Sequence, residues 1–241
     1  MEQTLEILCV SNLRLLYENW HFRNRPRPSQ IQKTIGDYSE MFQALFSGHD
    51  FSFVSYDVEN MVFPGSPFEA EGWLITGSRH GVYEDHKFIR PLEEFIRRIE
   101  EEKIPLLGIC FGHQIIAQAL GGKVEKFSGG WSVGLKEYKW GNESIHLNAW
   151  HQDQVVKKPK KAEVLAENSF CKFAALSYGE TILTVQPHPE FTHEVIKGLI
   201  ETRGKGRVPE QLLDEALNNF EKKTSLNEIV AKFSSVLNGA R

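Results

Sequence analysis

Between Leu106 and Gly122 the chain reads LLGICFGHQIIAQALGG, an apolar run that passes through Gly-Ile-Cys-Phe-Gly directly into a helical pattern. A strand that turns this sharply into a helix fits a sheet layered with helices better than a bundle or an all-strand sandwich. The residues before it repeat the theme. LEILCV (Leu5 to Val10), FSFVSYDV (Phe51 to Val58) and WLITG (Trp73 to Gly77) are short apolar or β-branched runs suited to buried strands. Helical patterns accompany them. One is opened by an Asp37–Glu40 capping box and stopped at Gly48; another carries Phe88, Ile89, Leu92, Phe95, Ile96 and Ile99 at helical spacing. The alternation predicts an α/β fold of three layers, a mainly parallel central sheet with helices on both faces.

After Gly122 the pattern changes to KVEKF, SVGLKEYKW, SIHLNAW, AEVLAE and TILTVQ, short strands that predict a small antiparallel addition to the same domain. His193 to Thr202 is expected to form a closing helix. Past RGKGRVPE come two amphipathic patterns, Leu212 to Phe220 and Leu226 to Leu237, the second opened by a Ser225–Glu228 capping box. We therefore expect one domain over residues 1–203 and a helical extension over 204–241 packed on it. A chain of 241 residues can bury one sizeable core. Its net charge of −4 gives no reason to expect nucleic acid or an anionic membrane as partner. No apolar run approaches the roughly 20 residues that cross a bilayer, and MEQTLEILCV does not resemble a signal peptide. Three widely separated cysteines, Cys9, Cys110 and Cys171, argue against a disulfide framework, so a cytoplasmic setting is expected.

Cys110 stands out because Gly-Ile-Cys-Phe-Gly has the form of a nucleophile elbow with cysteine in place of serine. Gly108 and Gly112 remove the side chains that would clash on so tight a turn. The helix that follows points its positive end at the sulfur and favours the thiolate. The N–H of Phe111 would sit beside any oxygen attacked there. The competing reading is a small buried residue that merely ends a strand. A cysteine nucleophile needs a base, and the base needs an orienting group. TVQPHPEF (Thr184 to Phe191) supplies both: prolines favour an extended segment, which puts His188 and Glu190 on one side.

Together, GICFGHQ and QPHPE resemble the class I glutamine amidotransferases, and their spacing is similar to the glutaminase domain of GMP synthase and its stand-alone, γ-glutamyl peptidase-like relatives. GDYSEMF, LITGSRHGVYED, ALGGKVEKF and WHQDQV extend the resemblance over roughly Leu5 to Ile200 in matching order. It implies a flavodoxin-like fold and a cysteine-thioester mechanism without a cofactor. Cys110 then matches the nucleophile, His188 the base and Glu190 its orienting group. Gln114 matches a residue that helps hold glutamine. Gly77 and Ser78 sit where a backbone N–H joins that of Phe111 as oxyanion donor. GWSVG (Gly130 to Gly134) lies where backbone groups hold the substrate's α-amino and α-carboxylate ends. The family's loop normally reads Gly-Gly-Pro where this chain has Thr-Gly-Ser, and Phe usually stands at Pro187.

The sequence has no phosphate-binding G-x-x-x-x-G-K-[ST] and no room for a synthetase domain. The expected substrate is a small molecule, glutamine or a γ-glutamyl compound. Three functions stay open: an amidotransferase that serves a separate synthetase subunit, a stand-alone γ-glutamyl hydrolase, and a binding module on a degenerate site. A cysteine α/β-hydrolase would place its acid before the histidine, and PfpI-type proteins place a histidine directly after the cysteine; neither fits. No metal site is expected. HLNAWHQD (His146, His151, Asp153) has no ligand signature and reads as a site-lining loop. His80, His86 and His193 read as surface residues, Cys9 and Cys171 as structural, and the Arg23–Arg27 stretch beside Trp20 and Phe22 as a solvated loop.

Overall fold

The computed structural model describes residues 5–12, 38–219 and 222–239. The Arg23–Arg27 stretch and Asp37 of the first expected capping box lie outside them. In chain order the elements are β1 (Glu6–Asn12), α1 (Tyr38–Leu45), β2 (Phe51–Asp57), β3 (Gly72–Ile75), α2 (Ile89–Glu101), β4 (Leu106–Ile109) and α3 (Phe111–Ala119). There follow β5 (Lys123–Lys126), β6 (Ser132–Trp140), β7 (Glu143–His151), β8 (Asp153–Lys157), β9 (Glu163–Glu167), β10 (Ala175–Tyr178) and β11 (Ile182–Val185). The chain ends in α4 (His193–Leu199), α5 (Glu210–Asn218) and α6 (Leu226–Asn238).

Among the described residues, nine strands form one sheet in the order β2-β1-β3-β4-β11-β10-β9-β6-β7, and β5 pairs with β8 beside it. The α/β expectation holds, but the parallel part is narrower than the sequence pattern suggests. β4 runs parallel to β3 and to β11, while β1 is antiparallel to both β2 and β3. The β10–β11 pair is antiparallel of necessity, since its few connecting residues turn at Gly179 (φ 62) and cannot make a crossover. Local patterning marks a buried strand but not its direction.

Side-chain alternation along the central strands builds the layers. Trp73, Ile75 and Leu106 face one apolar cluster with Leu92, Phe95 and Ile96 of α2 and Ile115 and Ile116 of α3. Leu74, Leu107 and Ile109 face another, with Phe42 of α1, Ile196 of α4, Leu213 of α5 and Phe233 of α6. Ser225 precedes α6 but makes no side-chain cap. Its Oγ instead accepts from the backbone N–H of His146 at 3.1 Å, so the expected capping box gives way to a tertiary contact that fastens α6 to β7. Helix α4 runs into a π-helical turn at Ile200–Gly204. No helix among the described residues is long and apolar enough to cross a membrane.

Candidate active site

Cys110 ends β4 and precedes α3 with φ 53 and ψ −100, a backbone conformation that costs an L-residue of order 1–3 kcal/mol. The surroundings enforce it. The Cys110 N–H donates to Val185 O of β11 at 2.9 Å, and the Gly112 N–H donates to Thr76 O at 3.1 Å. A Cβ on Gly112 would lie 2.1 Å from Ile75 O, and one on Gly108 would lie 2.6 Å from Ile116 Cδ1. Both glycines are therefore required by contact between α3 and the sheet. The Gly112–Thr76 bond also ties the turn to Gly77 and Ser78, and Ser78 lines the same cleft as Cys110.

His188 and Glu190 are buried. Glu190 Oε1 lies 2.6 Å from His188 Nδ1, which leaves Nε2 for the sulfur. Burial works to lower the basicity of His188. The Glu190 carboxylate, then the charge and hydrogen bond of Cys110, outweigh it and hold the imidazole pKa at about 10. Two residues that sequence reasoning missed steady this segment. Asn148 of β7 accepts the His188 N–H through its own carbonyl at 2.8 Å and donates from Nδ2 to Phe191 O at 2.8 Å. Phe191 stacks flat on the imidazole, ring centroids 3.9 Å apart. An aromatic directly after His-Pro-Glu was a readable signal; Asn148 was not, because it lies on a different strand far from the segment in the chain.

The remaining expected residues divide. Gln114 lines the cleft, yet its Nε2 donates to Asp153 O (2.9 Å) and Gln186 Oε1 (3.1 Å), so it offers a ligand its carbonyl oxygen rather than its amide hydrogens. His151 and Asp153 line the cleft as the loop reading expected. Tyr83 crosses to Asp153, donating from its hydroxyl to Oδ1 at 3.1 Å; burial and that carboxylate push the phenol up to about 12. Of the GWSVG segment, Trp131 reaches the cleft, while Ser132 and Val133 are buried in β6. Burial pushes the Cys171 thiol up to about 12, which suits an inert packing residue.

Burial holds His113 and His151 neutral, with pKa values lowered to about 3. In the unfolded chain both would titrate near 6.5, so between pH 6.5 and 3 the unfolded state binds the extra protons. Their contribution to stability is present above pH 6.5 and is lost as pH falls towards 3, at roughly 1 kcal/mol per pH unit for each. Denaturant melts across this window should show the decline, and His113→Leu should flatten it.

The cleft has a volume of about 260 Å³ and places Cys110, His188 and Ser78 beside Trp131, Trp150, Phe191 and four basic side chains, Arg79, Lys126, Arg203 and Arg207. A thiol on a strained turn, a buried imidazole–carboxylate pair and an adjoining backbone loop can together carry out acyl transfer through sulfur.

Comparison with known proteins agrees. γ-Glutamyl peptidase 4 of Arabidopsis thaliana is 28% identical over 229 residues, 88% of this chain and 90% of that protein. The glutamine-hydrolyzing subunit of GMP synthase from Methanococcus aeolicus is 36% identical over 117 residues, 42% of this chain and 62% of that one. A glutamine amidotransferase from Thermotoga maritima shares the fold with a TM-score of 0.66 at 22% identity, covering 89% of this chain and 95% of its own. The family model for class-I glutamine amidotransferase matches residues 53–202. The chain belongs to the class-I glutamine amidotransferase family.

Proposed function

We propose that this chain is a cysteine hydrolase of γ-glutamyl amides, with Cys110, His188 and Glu190 as its catalytic triad. One observation carries the reading: a cysteine held at φ 53 on the elbow shares a buried contact with a histidine whose other nitrogen is fixed by a carboxylate. Cys110 Sγ adds to the γ-carbonyl. The N–H of Phe111 and one from Gly77 or Ser78 receive the oxyanion. His188 gives its proton to the leaving nitrogen as the C–N bond breaks, and the γ-glutamyl group stays on sulfur as a thioester. Water, giving its proton to His188, then releases glutamate and restores the thiolate. The acyl-enzyme chemistry needs no cofactor.

Glu190→Gln tests the orienting role. It removes the carboxylate that does most to raise His188, so the imidazolium loses its proton at lower pH. The alkaline limb of the kcat/KM profile should move down in pH, and kcat should fall about 10²-fold. An unchanged alkaline limb would count against the assignment.

The cleft favours a γ-glutamyl amino acid or peptide over free glutamine. Four Lys or Arg side chains face two carboxylates there, Glu84 and Asp153. Glutamine brings one ammonium and one carboxylate; an amino-acid leaving group adds a second carboxylate. Trp150 packs close to Gly204, which brings the Arg203–Arg207 segment to the aromatic wall formed with Trp131, whose ring centroid lies 6.3 Å from that of Trp150. In this reading residues 1–203 carry the chemistry, and the extension over 204–241 contributes Arg207 to the leaving-group wall. Arg207→Ala should lower kcat/KM about tenfold for γ-glutamyl dipeptides, a charge-assisted bond's worth, and leave glutamine hydrolysis unchanged. The alternative is delivery of ammonia to a separate synthetase, the role suggested by the GMP synthase relatives. Faster turnover of glutamine than of γ-glutamyl dipeptides, raised further by an added synthetase, would favour it.

A further inference from the structure

We propose that His80, Glu84 and His86 form a divalent transition-metal site on the wall of the cleft, with zinc the ion whose chemistry fits best. The three side chains each direct one ligand atom to a common point, all within 4.8 Å of one another. Glu84 Oε2 is the shared centre, 2.8 Å from His86 Nε2 and 3.9 Å from His80 Nδ1. In a tetrahedral zinc site with bonds of about 2.1 Å, neighbouring ligand atoms are about 3.4 Å apart. Small side-chain rotations would reach that spacing. Both histidines are half-buried rather than surface residues, and His80 and Glu84 line the cleft itself.

A second observation separates this group from a chance meeting of polar side chains. His80 Nε2 lies 2.7 Å from Glu59 Oε1. A carboxylate on that nitrogen selects the tautomer with the proton on Nε2 and leaves the Nδ1 lone pair turned towards Glu84 and His86. Carboxylates orient metal-bound histidines in this way. His86 is steadied by stacking on buried Phe88, with centroids 5.4 Å apart and planes 9° from parallel. Phe88 in turn lies against Phe111, the first residue of the helix behind Cys110. Two imidazoles and one carboxylate are a donor set for zinc, cobalt or nickel rather than calcium or magnesium. The three protein ligands leave a fourth position for water or a substrate carboxylate, and the bound ion would tie residues 80 and 86 of the loop that follows Gly77 and Ser78.

The test uses the full chain in a Cys110→Ala background, which removes the thiolate as a competing ligand. Zinc titrated into it by calorimetry should bind at one equivalent, cobalt should give a tetrahedral visible band, and zinc should raise the unfolding midpoint. His80→Gln and His86→Gln, each added to that background, should weaken zinc binding at least tenfold and abolish the band. Their metal-free circular dichroism and melting midpoints should match the Cys110→Ala parent, which distinguishes a lost ligand from a lost fold. Absence of saturable zinc binding in the parent, or equal binding by the histidine variants, would overturn the proposal. Neither result touches the acyl-transfer reading, since Cys110 is absent throughout.

Discussion

Cys110→Ala is expected to lower kcat/KM on γ-glutamyl substrates by about 10⁴-fold or more, the scale seen when a covalent nucleophile is removed from a preorganised site. The argument does not rest on the residue type alone. Cys171 is also buried, but burial pushes its thiol up to about 12, out of the range of a working thiolate; Cys171→Ala should leave turnover nearly unchanged. Cys110 sits instead where the backbone is strained and the imidazole of His188 is charged. Strain and function can be separated at this position. Cys110→Gly should be as inactive as the alanine variant yet more stable than wild type by about 1 kcal/mol, because glycine adopts φ 53 without penalty. Melting curves of the two variants make the comparison.

Gly112→Ala should give the largest structural effect, a loss of more than about 3 kcal/mol, enough to unfold much of the protein at moderate temperature. Its Cβ would lie 2.1 Å from Ile75 O and 2.8 Å from Ile75 C, and those are backbone atoms of a strand held on both sides. Neither partner can turn aside as a side-chain tip could. Relief requires α3 to lift from β3, which breaks the Gly112–Thr76 hydrogen bond and separates the elbow from the Gly77–Ser78 loop. Any surviving folded fraction should therefore also be impaired in turnover. Gly141→Asn is the matched control. Its φ of 57 suits asparagine, and nothing lies within 4 Å of its Cβ position, so its melting midpoint should stay close to that of wild type.

These two positions show which features a sequence exposes. The elbow was legible because its causes are local: two glycines, one cysteine and a helical pattern lie within a single short stretch. The His188–Glu190 pair was legible for the same reason, with prolines setting the backbone of a short segment. The buried stripes of α2, α3 and α6 followed from spacing. What stayed hidden depended on partners distant in the chain. The direction of β1 is set by pairing with β2 and β3, both far along the chain from it. Ser225 carried a helix-capping signal, and a backbone N–H from β7 claimed its hydroxyl. Gln114 lines the cleft, but its donors are spent on Asp153 and Gln186, which no local pattern announces. His80, Glu84 and His86 looked like surface residues until a loop without regular structure brought them together.

The central claim is a γ-glutamyl thioester on Cys110, and the direct measurement is intact-protein and peptide mass spectrometry after acid quench during turnover of a γ-glutamyl dipeptide. The account predicts an added mass of one γ-glutamyl group, carried by the peptide containing Cys110, removed by hydroxylamine and absent in Cys110→Ala. Turnover without any such adduct, by a Cys110→Ala variant working at the wild-type rate, would contradict it.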